Sequence, residues 1–128
     1  TNTGRRRRVG WLDTVMLRYA VRVNSLTELA VAKLDVLDAL DTLKICVAYD
    51  DDGERHEWMP YHQSVLHRAA PIYEELPGWE SDLTGATHRD DLPARAEAYL
   101  AFVEEQVGVP VNMVGVGPGR QQVLRRHD

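Results

Sequence analysis

The sequence predicts an α/β fold, and three observations carry that prediction. Apolar residues recur with helical spacing in two separate stretches, short strand-like apolar runs lie between and after them, and Gly, Pro or Asp marks the boundaries. At 128 residues, 44% of them apolar, the chain is long enough for one domain around a single core, residues 1–128, and nothing calls for a second.

The first helix is expected over residues 13–23, where Leu12, Met16, Ala20 and Val23 repeat at helical spacing with Val15 and Tyr19 beside them. Asp13 suits its N-cap and Asn24 its stop. Residues 29–34 form an almost continuous apolar run, the pattern of a strand covered on both faces in a parallel or mixed sheet. Alternation returns at Ile45, Val47 and Tyr49, and Asp52-Gly53 offers a tight turn into a second strand over 54–58, an exposed hairpin. A helical turn is expected over 64–69 and a short strand over 72–75, before a turn at Pro77-Gly78 and a polar loop over 81–91. The clearest helix follows: Pro93 lies in its first turn, Ala96, Tyr99, Leu100, Val103 and Val107 share one face, and Gly108 stops it ahead of Pro110. A strand over 111–116, a turn at Gly117-Pro118-Gly119 and a last short strand over 121–124 complete the chain, with no internal repeat.

Charge narrows the function classes. Lys and Arg number 15 against 20 Asp and Glu, a net charge of −5, which disfavours a broad grip on nucleic acid and makes any anion site local. The single Cys46 cannot staple the domain internally and fits a reducing, cytoplasmic setting. No apolar stretch approaches the roughly 20 residues a bilayer crossing needs, so a soluble protein with no membrane partner is expected. The chain opens on Thr1, Asn2, Thr3 and Gly4 without a Met and runs at once into Arg5, Arg6, Arg7 and Arg8, which reads as a chain entered mid-motif.

Three constellations could carry chemistry. Four adjacent guanidiniums need water or anions to offset their repulsion, so residues 5–8 are either a solvated basic tip or forks for carboxylate or phosphate. At Lys33, Leu34 and Asp35, strand alternation puts Lys33 and Asp35 on one side just past an apolar strand. A carboxylate there accepts from two NH donors at once, which matches the donor edge of guanine and not adenine, and the Lys stem can lie over a purine ring. GTPases use a similar arrangement, although Asp35 could equally cap the turn through Asp38. Gly115, Val116 and Gly117 open the GVGPGR stretch, whose glycines allow backbone to approach a flat ligand and equally allow a tight turn. Ligands of α/β sheets gather at carboxyl strand ends, which makes both ends candidates. The five His residues show no metal spacing, the paired acids read as turn and helix-start residues, and no nucleophile motif or P-loop is present.

Taken together, TNTGRRRRVGWLDTVMLRYAVRVNSLTELAVAKLDVLDAL, KICVAY, PIYEELPGW, LPARAEAYLAFVEEQVGVPV and GVGPGR resemble, in order and spacing, the C-terminal part of the adenylosuccinate synthetase family. The resemblance runs nearly end to end and implies the C-terminal portion of a P-loop-NTPase-like mixed sheet with flanking helices and a β-hairpin. It implies that Thr1, Asn2, Thr3, Gly4, Arg5, Arg6 and Arg7 match the loop closing over L-aspartate, with Arg5 contacting IMP and Arg7 the GTP phosphates. Lys33, Leu34 and Asp35 match the guanine-binding triplet, and Gly115, Val116 and Gly117 a second stretch of that pocket. Many members of the family carry Ser at the position of Gly115 and Asp at that of Gly119, so one side-chain contact is lost here.

In that family GTP phosphorylates the 6-oxygen of IMP and the amino group of aspartate then displaces the phosphate. The phosphate loop, the Asp and His that move protons, and the Mg²⁺ contacts lie upstream of the matching segment. The resemblance therefore implies no catalytic or metal-binding residue in these 128 residues, no turnover by them alone, and a homodimer for the full-length enzyme. The rival expectations are a non-catalytic guanine-nucleotide-binding module and a structural fragment.

Overall fold

A computed structural model describes residues 3–126; Thr1 and Asn2 of the expected aspartate loop lie outside the described residues. The α/β class with mixed sheets, flanking helices and a hairpin holds, the strands being shared between two sheets. In the first, β3 (Thr42–Asp51) is central: β1 (Leu12–Asp13) lies parallel to it, while β4 (Glu54–His56) and β5 (Ala70–Pro77) are antiparallel. In the second, β6 (Val111–Gly115) has β2 (Leu29–Val31) parallel on one edge and β7 (Val123–Arg125) antiparallel on the other.

Helix α1 (Thr14–Asn24) starts where expected, because the Asp13 carboxylate accepts from the N–H groups of Val15 at 2.9 Å and Met16 at 3.1 Å. Its buried face differs from the expected one: Thr14 and Val15 are buried, while Met16 and Val23 are 50% and 55% exposed. The helix follows β1 without a loop, so its rotation is set by β1 and by Thr14, whose hydroxyl donates to the Cys46 carbonyl at 2.7 Å. The inward polar contacts of Arg18, to the carbonyls of Val47, Glu57 and Gln106, take space that an apolar stripe would have filled.

Strand β2 is shorter than the apolar run, and Ala30 is exposed, so the expectation of a strand covered on both faces fails. The run ends because Lys33 adopts a left-handed backbone, φ 60°, and residues Leu34–Leu37 wind into a 3-10 helix. In β3, by contrast, burial is almost continuous from Ile45 to Tyr49 where alternation was expected. Both of its edges are paired: Leu43, Ile45 and Val47 enter the main core, and Cys46 and Tyr49 pack with Val15 on the other side. The hairpin turn is as expected, with Asp52 and Gly53 at φ 54° and 89°, both positive as a type I′ turn requires.

Short helix α2 (Gln63–Arg68) leads into β5, which is twice as long as the strand expected there because it pairs along nearly all of β3. Helix α3 (Ala94–Val107) buries all five expected residues, with Pro93 one position outside as N-cap and Gly108 left-handed at φ 78°. Its face meets Leu34, Leu43, Ile45, Val111, Val114 and Leu124 in one core that joins the two sheets. Among the described residues, no helix is long and apolar enough to cross a membrane.

Candidate nucleotide-base site

Because β2 and β6 are parallel, with Val31 opposite Val114, their carboxyl ends lie side by side. The chain past β2 turns at Lys33 and that past β6 turns after Gly115. A Cβ added to Gly115 would stand 3.4 Å from both the Ala32 Cα and the Lys33 nitrogen, so the bare glycine lets these two backbones meet. Leu34 and Val116, each next in line, are buried in the same core and anchor the two turns. The two sequence-expected elements are therefore brought together.

Asp35 follows from this anchoring. Strand alternation does not apply beyond Val31, since Lys33 is left-handed and Asp35 lies in the first turn of the 3-10 helix. The turn is closed by backbone, with the Val36 N–H on the Lys33 carbonyl at 3.3 Å and the Asp38 N–H on the Asp35 carbonyl at 3.1 Å. The side chain of Asp35 is half-buried, and its Oδ1 is closed off from solvent without a hydrogen-bond partner among the described residues. A buried carboxylate oxygen lacking a donor costs free energy of about 1–3 kcal/mol or more, which a ligand NH group in reach would recover.

The second turn has its own support. The Val116 N–H donates to the Gln122 carbonyl at 2.9 Å, and the Gly119 N–H donates to Gln122 Oε1 at 2.8 Å. A Cβ on Gly117 would lie 2.4 Å from the Gln122 amide, so that side chain packs directly on the glycine. On the other side, Asp38 accepts from Trp79 Nε1 at 2.7 Å and from the Leu83 N–H at 2.9 Å. Sequence reading missed Asp38 and Gln122, whose partners Trp79, Leu83 and Thr84 are 38 to 45 residues away, and no short motif signals such pairs.

A cavity of about 400 Å³ adjoins the first turn, lined by Gly10, Trp11, Leu12, Lys33, Leu34 and Tyr99 among others. Through Gly10 to Leu12 it connects the amino-terminal segment to Lys33. Thr3, Gly4, Arg5, Arg6, Arg7 and Arg8 themselves are exposed and lie outside its lining, so the base-site residues and the arginines are not assembled into one pocket by these contacts. A larger cavity of about 470 Å³ is lined by Arg89, Glu97, Glu104 and Arg126, which pair as Arg89 with Glu97 and Arg126 with Glu104 at 3.0 Å, and by the exposed Asp90. That pairing leaves little for a ligand to recover, whereas the smaller cavity reaches Lys33 and Leu34 of the expected site; Asp35, Gly115, Val116 and Gly117 lie outside its lining. Among the described residues, no group of three or more His, Cys, Asp or Glu is placed to hold a metal ion.

The mixed sheets with flanking helices, and the two parallel strand ends meeting at a glycine, define an α/β chain, and its likeness to a solved structure gives it a P-loop-like fold. Comparison with known proteins narrows this. The family model described as adenylosuccinate synthetase matches residues 1–124. An adenylosuccinate synthetase of Parafrankia is 56% identical over 122 residues, 95% of this chain and 29% of the relative. One of Corynebacterium diphtheriae is 53% identical over 127 residues, 99% of this chain and 30% of the relative. The solved structure of fully ligated adenylosuccinate synthetase from Plasmodium falciparum superposes with a TM-score of 0.90 at 33% identity, covering 97% of this chain and 30% of that one. The chain belongs to the adenylosuccinate synthetase family. It spans about 30% of the length of the relatives it matches.

Proposed function

We propose that these 128 residues supply the guanine pocket and the aspartate loop of a GTP-dependent ligase that joins IMP and L-aspartate to give adenylosuccinate in AMP synthesis. The carrying observation is the orphaned Oδ1 of Asp35 beside the paired ends of β2 and β6. Guanine presents a ring N–H and an amino group on one edge, two donors for one carboxylate, whereas adenine lacks that pair. The aliphatic stem of exposed Lys33 covers the ring face, and backbone at Gly115, Val116 and Gly117 borders its other edge.

Thr3, Arg5, Arg6 and Arg7 meet the carboxylates of aspartate, Arg5 also meets IMP, and Arg7 also meets the GTP phosphates. Exposed guanidiniums on a segment without regular structure suit a loop that closes over an acidic substrate. Mg²⁺ supplies charge stabilisation for phosphoryl transfer in such reactions. Its ligands are assigned, on the family resemblance, to the part of the enzyme upstream of the matching segment. Proton transfers are assigned there too, in a cytoplasmic homodimer of the whole enzyme.

Titration of the chain with GTP and ATP tests the base pocket. GTP is expected to bind in preference, and Asp35→Asn, which replaces an acceptor by an amide donor, should reduce that preference about tenfold to a hundredfold. Equal binding of the two nucleotides, or a preference that survives Asp35→Asn, would count against the reading. A coupled assay should detect no adenylosuccinate formed by the 128 residues alone. A second reading, a structural fragment seeking a partner, draws on the exposed apolar residues Trp11, Met16, Tyr19 and Val23. Its signature is a concentration-dependent oligomer with no nucleotide affinity.

A further inference from the structure

The two turns of the base site touch at Gly115 and are also fastened to each other at a distance, by side chains outside the site. The first fastening is Asp38, at the end of the 3-10 helix that carries Asp35. Its two carboxylate oxygens hold Trp79 Nε1 at 2.7 Å and the Leu83 N–H at 2.9 Å. The second is Gln122, whose Nε2 donates to the Thr84 carbonyl at 3.0 Å while its Oε1 accepts from the Gly119 N–H at 2.8 Å. Leu83 and Thr84 are neighbours in the chain. A continuous path therefore runs from the Asp35 helix through Asp38, Leu83, Thr84 and Gln122 to the glycine turn.

The path is stiff at each step. Trp79 and Leu83 are buried in the main core, so the loop between them cannot drift. The Asp82 carboxylate accepts from both the N–H and the hydroxyl of Thr84, which fixes the residue whose carbonyl Gln122 holds. Gln122 also fills the space where Gly117 has no side chain, so moving its amide moves the wall of the turn.

We infer that Asp38 and Gln122 are positioning residues that set the separation between the Asp35 carboxylate and the glycine turn, and thereby the selectivity for a purine bearing a 2-amino group. The inference rests on the guanine-pocket reading. Its class of ligand is a 2-aminopurine nucleotide, and neither residue touches the base. Holding a carboxylate at the correct distance matters most for the donor it reads, because hydrogen bonds weaken steeply with stretched or bent geometry.

GTP and ITP differ only by the 2-amino group, so the ratio of their affinities reads the Asp35 contact and little else. The test measures that ratio by titration calorimetry on the chain, in wild type, Asp35→Asn, Gln122→Met and Gln122→Glu, with a thermal melt of each. Gln122→Met keeps the volume against Gly117 and removes both side-chain hydrogen bonds. Gln122→Glu keeps an acceptor for Gly119 and sets a carboxylate against the Thr84 carbonyl, so it cuts the bridge if the methionine variant does not fold. The expected result is a GTP-to-ITP preference reduced about fivefold in the folded Gln122 variant, with ITP affinity little changed. An unchanged ratio, or equal weakening of both nucleotides, in a folded Gln122 variant would overturn the bridge. Failure of the underlying reading looks different: Asp35→Asn would leave the wild-type ratio intact, or neither nucleotide would bind.

Discussion

Gly78 is the position where the smallest chemical change should do the most damage. It is buried directly after β5, its N–H donates to the Asp41 carbonyl at 2.7 Å, and its carbonyl accepts from Arg95 at 3.0 Å. A Cβ there would lie 1.7 Å from the Leu40 carbonyl oxygen and 2.8 Å from its carbon, both backbone atoms that no rotamer change can move. Relief requires separating the two backbones by about 1.5 Å, since carbon and oxygen need roughly 3.2 Å or more, and that stretches the bond to Asp41 beyond hydrogen-bonding range. Overpacking of this kind costs about 1–3 kcal/mol and the lost bond about 1 kcal/mol, so Gly78→Ala should destabilise the fold by roughly 3 kcal/mol. For a chain of this size that lowers the melting temperature by roughly 10 °C in a thermal scan followed by circular dichroism. Gly85→Ala is the control: a Cβ there meets nothing within 4 Å, so its melting temperature should stay within a few degrees of wild type. A Gly78→Ala variant as stable as the Gly85 control would refute the steric reasoning. Because Gly78 immediately precedes Trp79, loss of this contact should also loosen the Asp38 fastening of the base site.

Two further outcomes concern ionisation. The Arg68 guanidinium hydrogen-bonded to Asp51 holds that carboxyl below its ordinary value, with contacts of 2.6 and 2.8 Å. A depressed carboxyl contributes stability that is present above the unfolded value near 3.8 and is lost as pH falls through the folded one, so acid unfolding should begin at higher pH in Arg68→Met than in wild type. Cys46 is the second case: burial, then the nearby Asp13 charge, pushes its thiol up to about 11. The fold thus favours the neutral thiol fully below the ordinary value of 9.0 and loses that contribution as pH rises towards 11. A thiol-specific reagent at pH 8 should label Cys46 only after denaturation, and rapid labelling of the native chain would contradict its burial.

What the sequence disclosed and what it hid divide along the range of the interactions. The α3 face and its glycine stop were legible because both follow from contacts within a few residues, as was the Asp52-Gly53 turn. The orientation of α1 was not, since Met16 and Val23 obey helical spacing while Thr14, 32 residues from Cys46, decides which side faces inward. The length of β2 was hidden for another reason. Lys33 takes a left-handed backbone in the middle of a run that apolar pattern alone continues to Leu34. Consequently the strand geometry expected of Lys33, Leu34 and Asp35 does not hold: Lys33 makes a left-handed turn that leads into a 3-10 helix, where Leu34 and Asp35 lie. The partnership between that turn and the one after Gly115 needed the β2 to β6 register, which no local pattern encodes.

The central claim is that these two turns form one surface for a guanine base, and amide chemical shifts report on it directly. In a titration of the ¹⁵N-labelled chain with GTP, the amides of Lys33, Asp35, Gly115 and Gly117 should move together along one binding curve, and ATP at the same concentrations should leave them largely in place. Shifts confined to the arginines at residues 5–8, or movements of equal size with ATP, would contradict the account.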